Sequence, residues 1–263
     1  MADQEQTIAA DKQNLYLKTA LLAGELLIRC NAEAYRVEET VQHILWASSY
    51  KNIHVNAQTT SFQMSVEEEK GTPITFIRRI TERTIDLYRI HQVNHVSRHV
   101  SDRSMSIEEA YARLLAIQDS EYSSFQIDIA TVLFILLILI LFQGTLLDLL
   151  VNIPLAVVVV FTLRLCKQYS IQNLLMNFLS CTAVAVLANV AARLLPFSIQ
   201  VDLLIISCIM PLVPGIAFTN GVRDIFRGDY SSGFSKLLEA IMVGIFIALG
   251  TATGLLIVKG VFS

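Results

Sequence analysis

Residues 208–239 read CIMPLVPGIAFTNGVRDIFRGDYSSGFSKLLE, an apolar helix with two breaks followed by a dense run of polar and charged groups. Pro211 and Pro214 each remove a backbone donor, and Gly215 loosens the next turn. Carbonyl groups freed in this way are tolerated inside a bilayer only where protein or a water-filled cavity satisfies them. The stretch therefore predicts a place where a polar solute passes through a membrane.

The overall composition agrees with a chain that is partly embedded in lipid. Hydrophobic residues make up 54% of the 263 positions and charged residues only 16%, which is outside the ordinary range for a soluble globular protein. Of the 43 charged residues, 30 lie before position 125. The N-terminus, MADQEQTIAADKQ, lacks the apolar core of a signal peptide. These features predict a cytosolic first half and a membrane second half.

The second half divides into apolar segments that are each close to the roughly 20 residues a helix needs to cross the hydrocarbon core. An odd number of spans would put the two chain ends on opposite sides of the membrane. Residues 143–145 leave only a tight hairpin between the first two segments. We predict five spans, at about 126–143, 146–165, 173–193, 199–219 and 234–258.

Basic residues near the span ends predict the orientation, because they are retained on the cytoplasmic side. With the N-terminus inside, the outer side would collect only Arg193 and Lys259. The inner loops would hold five basic residues, namely Arg164, Lys167, Arg223, Arg227 and Lys236. This bias predicts a cytosolic N-terminus and an external C-terminus.

The first half shows its own periodicity. Helical spacing covers 14–30 and 34–49, and Asn31 fits a left-handed stop between them. Three strands with period two follow, around residues 53–57, 62–66 and 74–78, with Glu69, Lys70 and Gly71 turning the second into the third. Two more helices are predicted at 84–99 and from Ser106 to Gln118, with a linker at 119–124. The predicted fold class is an α-helical polytopic membrane domain (125–263) after a cytosolic α+β domain (1–124).

Ionisable residues in or near the spans are the first candidates for function. A charged group in a span costs about 2.5–3.5 kcal/mol on insertion scales and commonly faces a cavity or partner. Asp148, Asp202 and Glu239 qualify, although carboxylates near span ends can also reach the headgroup region. Glu239 or Asp224 could take a proton or an amino group, which would allow coupling to a proton gradient. These four acidic residues form a predicted coupling or polar path.

Arg223 is the best candidate to hold a substrate carboxylate, because a guanidinium offers two parallel donors. The alternative is a loop arginine that sets topology and pairs with Asp224. On the first interpretation, the cytoplasmic side of the substrate path consists of Pro214, Gly215, Thr219, Asn220 and Arg223.

Other classes of function leave weaker signals. His91, His95 and His99 would share one helix face, but no HExxH arrangement or cysteine partner accompanies them, so we predict no metal site and no cofactor. No GxSxG elbow, phosphate-binding loop or basic stripe for nucleic acid occurs either. A membrane-anchored hydrolase or a metal or ligand sensor in the first half stays the alternative, beside a scaffold for a partner. The main expectation is a secondary active transporter for a small molecule.

Two stretches carry a family resemblance: NAEAYRVEETV at 31–41 and IMPLVPGIAFTNGVRDIFRGDYSSGFSKLLEA at 209–240. They resemble the signature regions of the threonine/serine exporter family, and the resemblance covers about 14–258. Asn31, Gly221 and Val222 depart from the residues common there, which are glycine, alanine and isoleucine.

Full-length members are similar to two five-span halves in one chain, so this chain resembles the longer subunit of the split, two-component type. The resemblance implies a plasma-membrane protein that works with a small companion membrane subunit or with further copies of itself. It also implies export of threonine or serine, or of a dicarboxylate such as succinate.

Overall fold

The computed structural model describes residues 2–68, 71–117, 122–169 and 171–262, with side chains from residue 11 to residue 261. The described residues are mostly helical and include one small sheet. They form two units, which are treated separately below. Unit 1 consists of Met1–Glu121 and Ile216–Leu237, and unit 2 of Tyr122–Gly215 and Leu238–Ser263. The structure thus groups residues 216–237 with the first half of the chain, whereas sequence position alone placed them in the membrane half.

The N-terminal part of unit 1 has the predicted order of two helices, three strands and two helices. The sheet is antiparallel with the order β1-β2-β3, and Met64 pairs with Val55 on one side and Phe76 on the other. The elements are α1 (Ala2–Arg29), α2 (Ala34–Trp46), β1 (Lys51–Ala57), β2 (Ser61–Glu67), β3 (Pro73–Arg79), α3 (Leu87–Ser101) and α4 (Ile107–Ala116).

The boundaries differ from the predicted ones at two helix starts. Helix α1 begins at Ala2 rather than at residue 14. Helix α3 begins at Leu87 rather than at residue 84, because the Asp86 side chain accepts a hydrogen bond from the Arg89 N–H (2.9 Å) and caps the helix there. The predicted turn residues Glu69 and Lys70, the predicted helix end at Gln118 and residues 119–121 of the linker lie outside the described residues.

The turn between α1 and α2 has the predicted left-handed stop. Asn31 has a φ of 58°, and the Ala32 N–H donates to the Leu27 carbonyl at 3.0 Å. This pattern satisfies the last carbonyls of a helix and reverses the chain within a few residues. The turn therefore leaves the carbonyls of Asn31 and Ala32 and the side chain of Glu33 available to other parts of unit 1.

Unit 1 has a core in which the sheet packs on the first two helices. Phe62, Met64, Leu27 and Ile44 are fully buried in it. A Cβ added to Gly24 would lie 2.8 Å from the Phe62 ring, so α1 approaches β2 closely at this point.

Unit 2 is built from apolar helices. Helix α5 (Ser124–Leu141), α6 (Leu146–Gln168) and α7 (Asn173–Leu194) are followed by α8 (Val201–Ile209) and a 3-10 turn, Met210–Leu212. Helix α9 (Gly215–Phe226), of which all but the first residue belongs to unit 1, and the long helix α10 (Tyr230–Phe262), whose first eight residues belong to unit 1, complete the chain. Among the described residues, four helices are long and apolar enough to cross a membrane, and α8 with α9 counts as a fifth if this bent pair is one broken span. The chain is a multi-pass membrane protein.

The predicted break is present between α8 and α9, so 199–219 is not one continuous helix. Pro211 falls inside the 3-10 turn, and Val213 is extended with a ψ of 128°. The residue before a proline is driven out of the helical region by the proline ring, which is why the helix resumes only after Pro214.

The predicted hairpin between α5 and α6 is also present. Gln143 has a φ of 61°, and the Gly144 N–H donates to the Leu139 carbonyl. Thr145 and Asp148 then form a capping box that begins α6.

Replacing Gly250 by alanine is expected to destabilise unit 2 by about 1–3 kcal/mol, the range for overpacking. An added Cβ would lie 2.4 Å from the Phe178 carbonyl oxygen, at a crossing of α7 and α10 that the Thr182 hydroxyl also bridges by donating to the Gly250 carbonyl. Gly244→Ala is the matched control, since no described atom lies within 4 Å of its added Cβ. Thermal unfolding in detergent measures both, and equal midpoints would contradict the tight crossing.

Candidate functional site

The turn between α1 and α2 contacts α9 and α10 within unit 1 through three consecutive residues. Asn220 donates from Nδ2 to the Asn31 carbonyl at 3.1 Å. Lys236 donates from Nζ to the Ala32 carbonyl at 3.0 Å. The Arg223 guanidinium forms an ion pair with Glu33. The two stretches quoted above for their family resemblance, about 190 residues apart, therefore meet at one place.

The ion pair between Glu33 and Arg223 is half open to solvent. The Arg223 side chain is 46% exposed, whereas the Glu33 side chain is only 8% exposed. Glu33 is also held by Arg36, whose Nε lies 3.2 Å from its second carboxylate oxygen. The carboxylate is thus fixed in place, while the guanidinium of Arg223 remains accessible to a solute.

A second ion pair contacts the same turn through the Ala32 carbonyl and is fully buried. Lys236 Nζ lies 2.9 Å from Asp224 Oδ2, and the two side chains are 3% and 0% exposed. Ser232 donates from its hydroxyl to the same oxygen at 3.4 Å. The other oxygen, Asp224 Oδ1, has no hydrogen-bond partner within the part of the chain that the structure describes. A buried carboxylate with one unsatisfied oxygen is costly and frequently marks a functional group.

Two glycines allow α9 and α10 to approach closely enough for this pair. A Cβ added to Gly233 would lie 2.7 Å from the Gly221 carbonyl oxygen, and one added to Gly221 would lie 3.0 Å from the Gly233 carbonyl oxygen. Gly228, with a φ of 91°, reverses the chain between the two helices. The two glycines thus lie where α9 and α10 approach most closely beside the ion pair.

Two further carboxylic acids surround the buried pair. Burial raises the pKa of Glu38; a hydrogen bond from the Ala57 N–H at 2.9 Å opposes this shift, and the charges of Asp229 and Asp224 add to it. Burial and the Asp224 charge likewise raise the pKa of Asp229, which follows α9. Two carboxylic acids whose pKa values are raised therefore lie near the buried carboxylate of Asp224.

A small cavity adjoins the buried pair. Its volume of about 10 Å³ is enough for one water molecule. Lys236, Ser232 and Thr59 line it, and Thr59 donates from its hydroxyl to the Ser232 carbonyl at 3.3 Å. A water there would have polar groups on several sides.

A family model described as "Putative threonine/serine exporter" matches residues 18–258. The chain belongs to the threonine/serine exporter family. No curated protein and no solved structure matches it. The family is a family of transporters, which agrees with the apolar helices described above.

The predicted site residues of this exporter-family chain fall into two groups. Asn220, Arg223 and Asp224 take part in the contacts of unit 1 described above, and Thr219 is exposed on α9. Pro214 and Gly215 lie at the break and belong to unit 2.

The remaining predicted acids belong to unit 2. Asp202 and Glu239 are exposed, on α8 and α10. Asp148 is completely buried and accepts hydrogen bonds from the N–H and the hydroxyl of Thr145, at 2.9 and 2.7 Å. It also accepts one from the Gln200 N–H at 2.8 Å, which ties the start of α6 to the loop before α8. These hydrogen bonds hold the Asp148 carboxylate in place at the start of α6.

Asn152 also has a structural partner in unit 2. It donates from Nδ2 to the Ser207 hydroxyl at 2.9 Å, and so joins α6 to α8. Side-chain hydrogen bonds of this kind commonly link neighbouring membrane helices.

Sequence reasoning missed four residues of the site: Glu33, Glu38, Asp229 and Lys236. Glu33 lies inside the first stretch that carries the family resemblance, so that stretch could have indicated it. Lys236 was counted only as a basic residue near a span end. The local pattern does not show that Lys236 is buried, because both polar and apolar residues precede it in the sequence.

Proposed function

We propose that this chain is the larger membrane subunit of a secondary active exporter for small carboxylate-bearing metabolites, with threonine or serine as the favoured substrate. The observation that carries the proposal is the ion pair between Glu33 and Arg223, in which opposite charges lie side by side and one of them is open to solvent. The family match supports the transport of such solutes.

An amino acid carries a carboxylate and an ammonium, so it can replace the partners of this ion pair. The Arg223 guanidinium would take the substrate carboxylate through two parallel hydrogen bonds. Glu33 would then accept the substrate ammonium. A partly exposed ion pair contributes only about 0–1 kcal/mol, so exchanging it for a substrate costs little.

A dicarboxylate such as succinate satisfies this arrangement less well. It could bind Arg223, but its second carboxylate would face Glu33 and repel it. The charges therefore favour a zwitterion over a dianion, and dicarboxylate export remains the alternative for the substrate.

The path to this pair is proposed to begin at the break before α9. Pro214 and Gly215 free backbone carbonyls, and Thr219 and Asn220 offer further polar groups along the chain. Because Asn220 donates to the Asn31 carbonyl, substrate entry would exchange this bond together with the ion pair.

We propose that the buried pair of Asp224 and Lys236 couples export to a proton gradient. A proton on Asp224 would neutralise the carboxylate and release the Lys236 ammonium from it. The unsatisfied Oδ1 oxygen and the neighbouring acids Glu38 and Asp229 support proton uptake at this place. Glu239 and Asp202 are further candidates for the coupling path.

The cellular arrangement follows from the same proposal. Unit 1 would face the cytosol and the protein would lie in the plasma membrane, as an exporter of cytosolic metabolites requires. Five spans amount to half of a full-length family member, so we propose that the chain works with a small companion membrane subunit or with further copies of itself.

Transport into everted membrane vesicles that contain this chain and its partner tests the function. Labelled threonine and serine are expected to accumulate when a proton gradient is imposed, and succinate is expected to accumulate more slowly. Vesicles without the chain are the control. Equal accumulation with and without the chain, for all three solutes, would contradict export by this protein.

The orientation has its own test. A reporter that is active only in the cytosol should be inactive when fused after Ser263, because five spans place the C-terminus outside. The matched control ends the chain after Gln172, between the second and third spans, and should be active. A strong signal from the full-length fusion would overturn the proposed topology.

A further inference from the structure

Unit 1 contains a larger cleft that the proposed export path does not use. It lies between α2 and α3, and Arg227, from the turn between α9 and α10, closes one side of it. The cleft has a volume of about 410 Å³, which is in the range of small-molecule sites. Glu33, Arg223, Asp224 and Lys236 do not line it.

The walls of the cleft carry an excess of positive charge. Arg36, Arg98 and Arg227 line it against one acidic residue, Glu39, which leaves a formal charge of +2. In the described parts of the chain, no carboxylate lies within ion-pair distance of Arg98 or Arg227. Arg227 instead lies over the Tyr35 ring, 3.6 Å from its centroid. Stacking of this kind holds a guanidinium flat and leaves its edge free to donate.

Polar side chains inside the cleft can also form hydrogen bonds with a bound molecule. Thr40 and Ser97 are 4% and 2% exposed and line the cleft. The Thr40 hydroxyl donates to Asn94 Oδ1 at 3.2 Å, which leaves the Asn94 amide nitrogen as a donor. The Ser97 hydroxyl is not among the buried polar atoms of the described residues that lack a partner. It can therefore hydrogen-bond to water in the cleft, and a bound molecule that accepts from it would replace that water.

We propose that this cleft binds a small dianionic metabolite, bearing either a phosphate group or two carboxylates. The charge of −2 matches the walls, and the planar fork of arginine fits both kinds of anion. The donors of Asn94 and Ser97 would bind further oxygen atoms of the same molecule. Arg227 follows the end of α9 directly, so the ligand would also restrain the segment after Arg223.

Binding of inorganic phosphate and of malonate to the purified full-length chain in detergent tests the proposal by titration calorimetry. Inorganic phosphate represents ligands that carry a phosphate group, and malonate represents ligands that carry two carboxylates. At least one probe is expected to bind saturably, with weaker binding at higher salt. Arg98→Gln should weaken that binding tenfold or more, and Ser97→Ala should weaken it less.

Arg79→Gln is the matched control, since Arg79 is an exposed arginine of β3 outside the cleft. It should bind the probe as the unchanged protein does. Circular dichroism and gel filtration check that each variant is folded. The proposal is overturned if neither probe binds below 10 mM, or if Arg98→Gln and Arg79→Gln weaken binding equally.

Discussion

Arg223→Ala is expected to reduce export at least tenfold while the protein still reaches the membrane. A hydrogen bond to a charged group contributes about 1.5–3 kcal/mol, which corresponds to a factor of about 10 to 100. Arg223→Lys should recover only part of the activity, because lysine keeps the charge and loses the paired donors. Export and membrane abundance are measured together on both variants.

The competing explanation is that Arg223 only sets the topology. In that case, Arg223→Lys would leave export unchanged, and Arg223→Ala would invert the membrane topology or destabilise the protein. Lys167→Ala is the matched control, because it removes an exposed basic residue from another predicted inner loop without touching the site. Normal export by correctly inserted Arg223→Ala would remove this residue from the site.

The partners of Arg223 refine the test. Glu33→Gln should raise the half-saturating concentration of threonine more than that of succinate, because only the amino acid has an ammonium for Glu33. Asn220→Ala should raise the half-saturating concentration if Asn220 contacts the substrate. An equal effect of Glu33→Gln on both solutes would contradict recognition of a zwitterion.

Lys236→Met is expected to have the largest effect on stability, about 3–5 kcal/mol, because it leaves the Asp224 carboxylate buried without its counter-charge. The double variant Asp224→Asn, Lys236→Met should regain much of the lost stability, since it removes both charges. It should nevertheless fail to export, because the buried carboxylate that is proposed to take the proton has been removed. Thermal unfolding in detergent and vesicle transport measure the two effects separately.

Lys259→Met is the matched control for this experiment, as it makes the same substitution at an exposed position of the same helix. Two outcomes would contradict the argument. Unchanged stability of Lys236→Met would mean that the pair does not stabilise unit 1. Full export by the double variant would mean that the pair has a structural role only.

Local chemistry explains how much of the fold could be predicted. The spacing of apolar residues places the helices and strands, because burial of one face depends on residues a few positions apart. The left-handed turn at Asn31 and the break at Pro211 and Pro214 follow from backbone restrictions of single residues. The hairpin at Gln143 is equally local. For these features, the physical cause and the residue that produces it lie in the same short segment.

The site depends on contacts that no short segment contains. Arg223 was predicted as a binding residue, but its partner Glu33 lies 190 positions away along the chain. Lys236 resembled any basic residue near a span end, and the folded structure buries it beside Asp224 where α9 and α10 approach closely. Asp148 looked like a candidate for a polar path, and its three hydrogen bonds make it a helix cap and a link to the loop before α8.

The sequence by itself thus determined the class of protein, the helices and strands and the position of the break, because hydropathy and backbone geometry act over a few residues. Only the tertiary structure decided which charges pair and that residues 216–237 pack with the first half of the chain. The reason is that charge pairing depends on which helix faces meet, and distant segments meet only when the whole chain has folded.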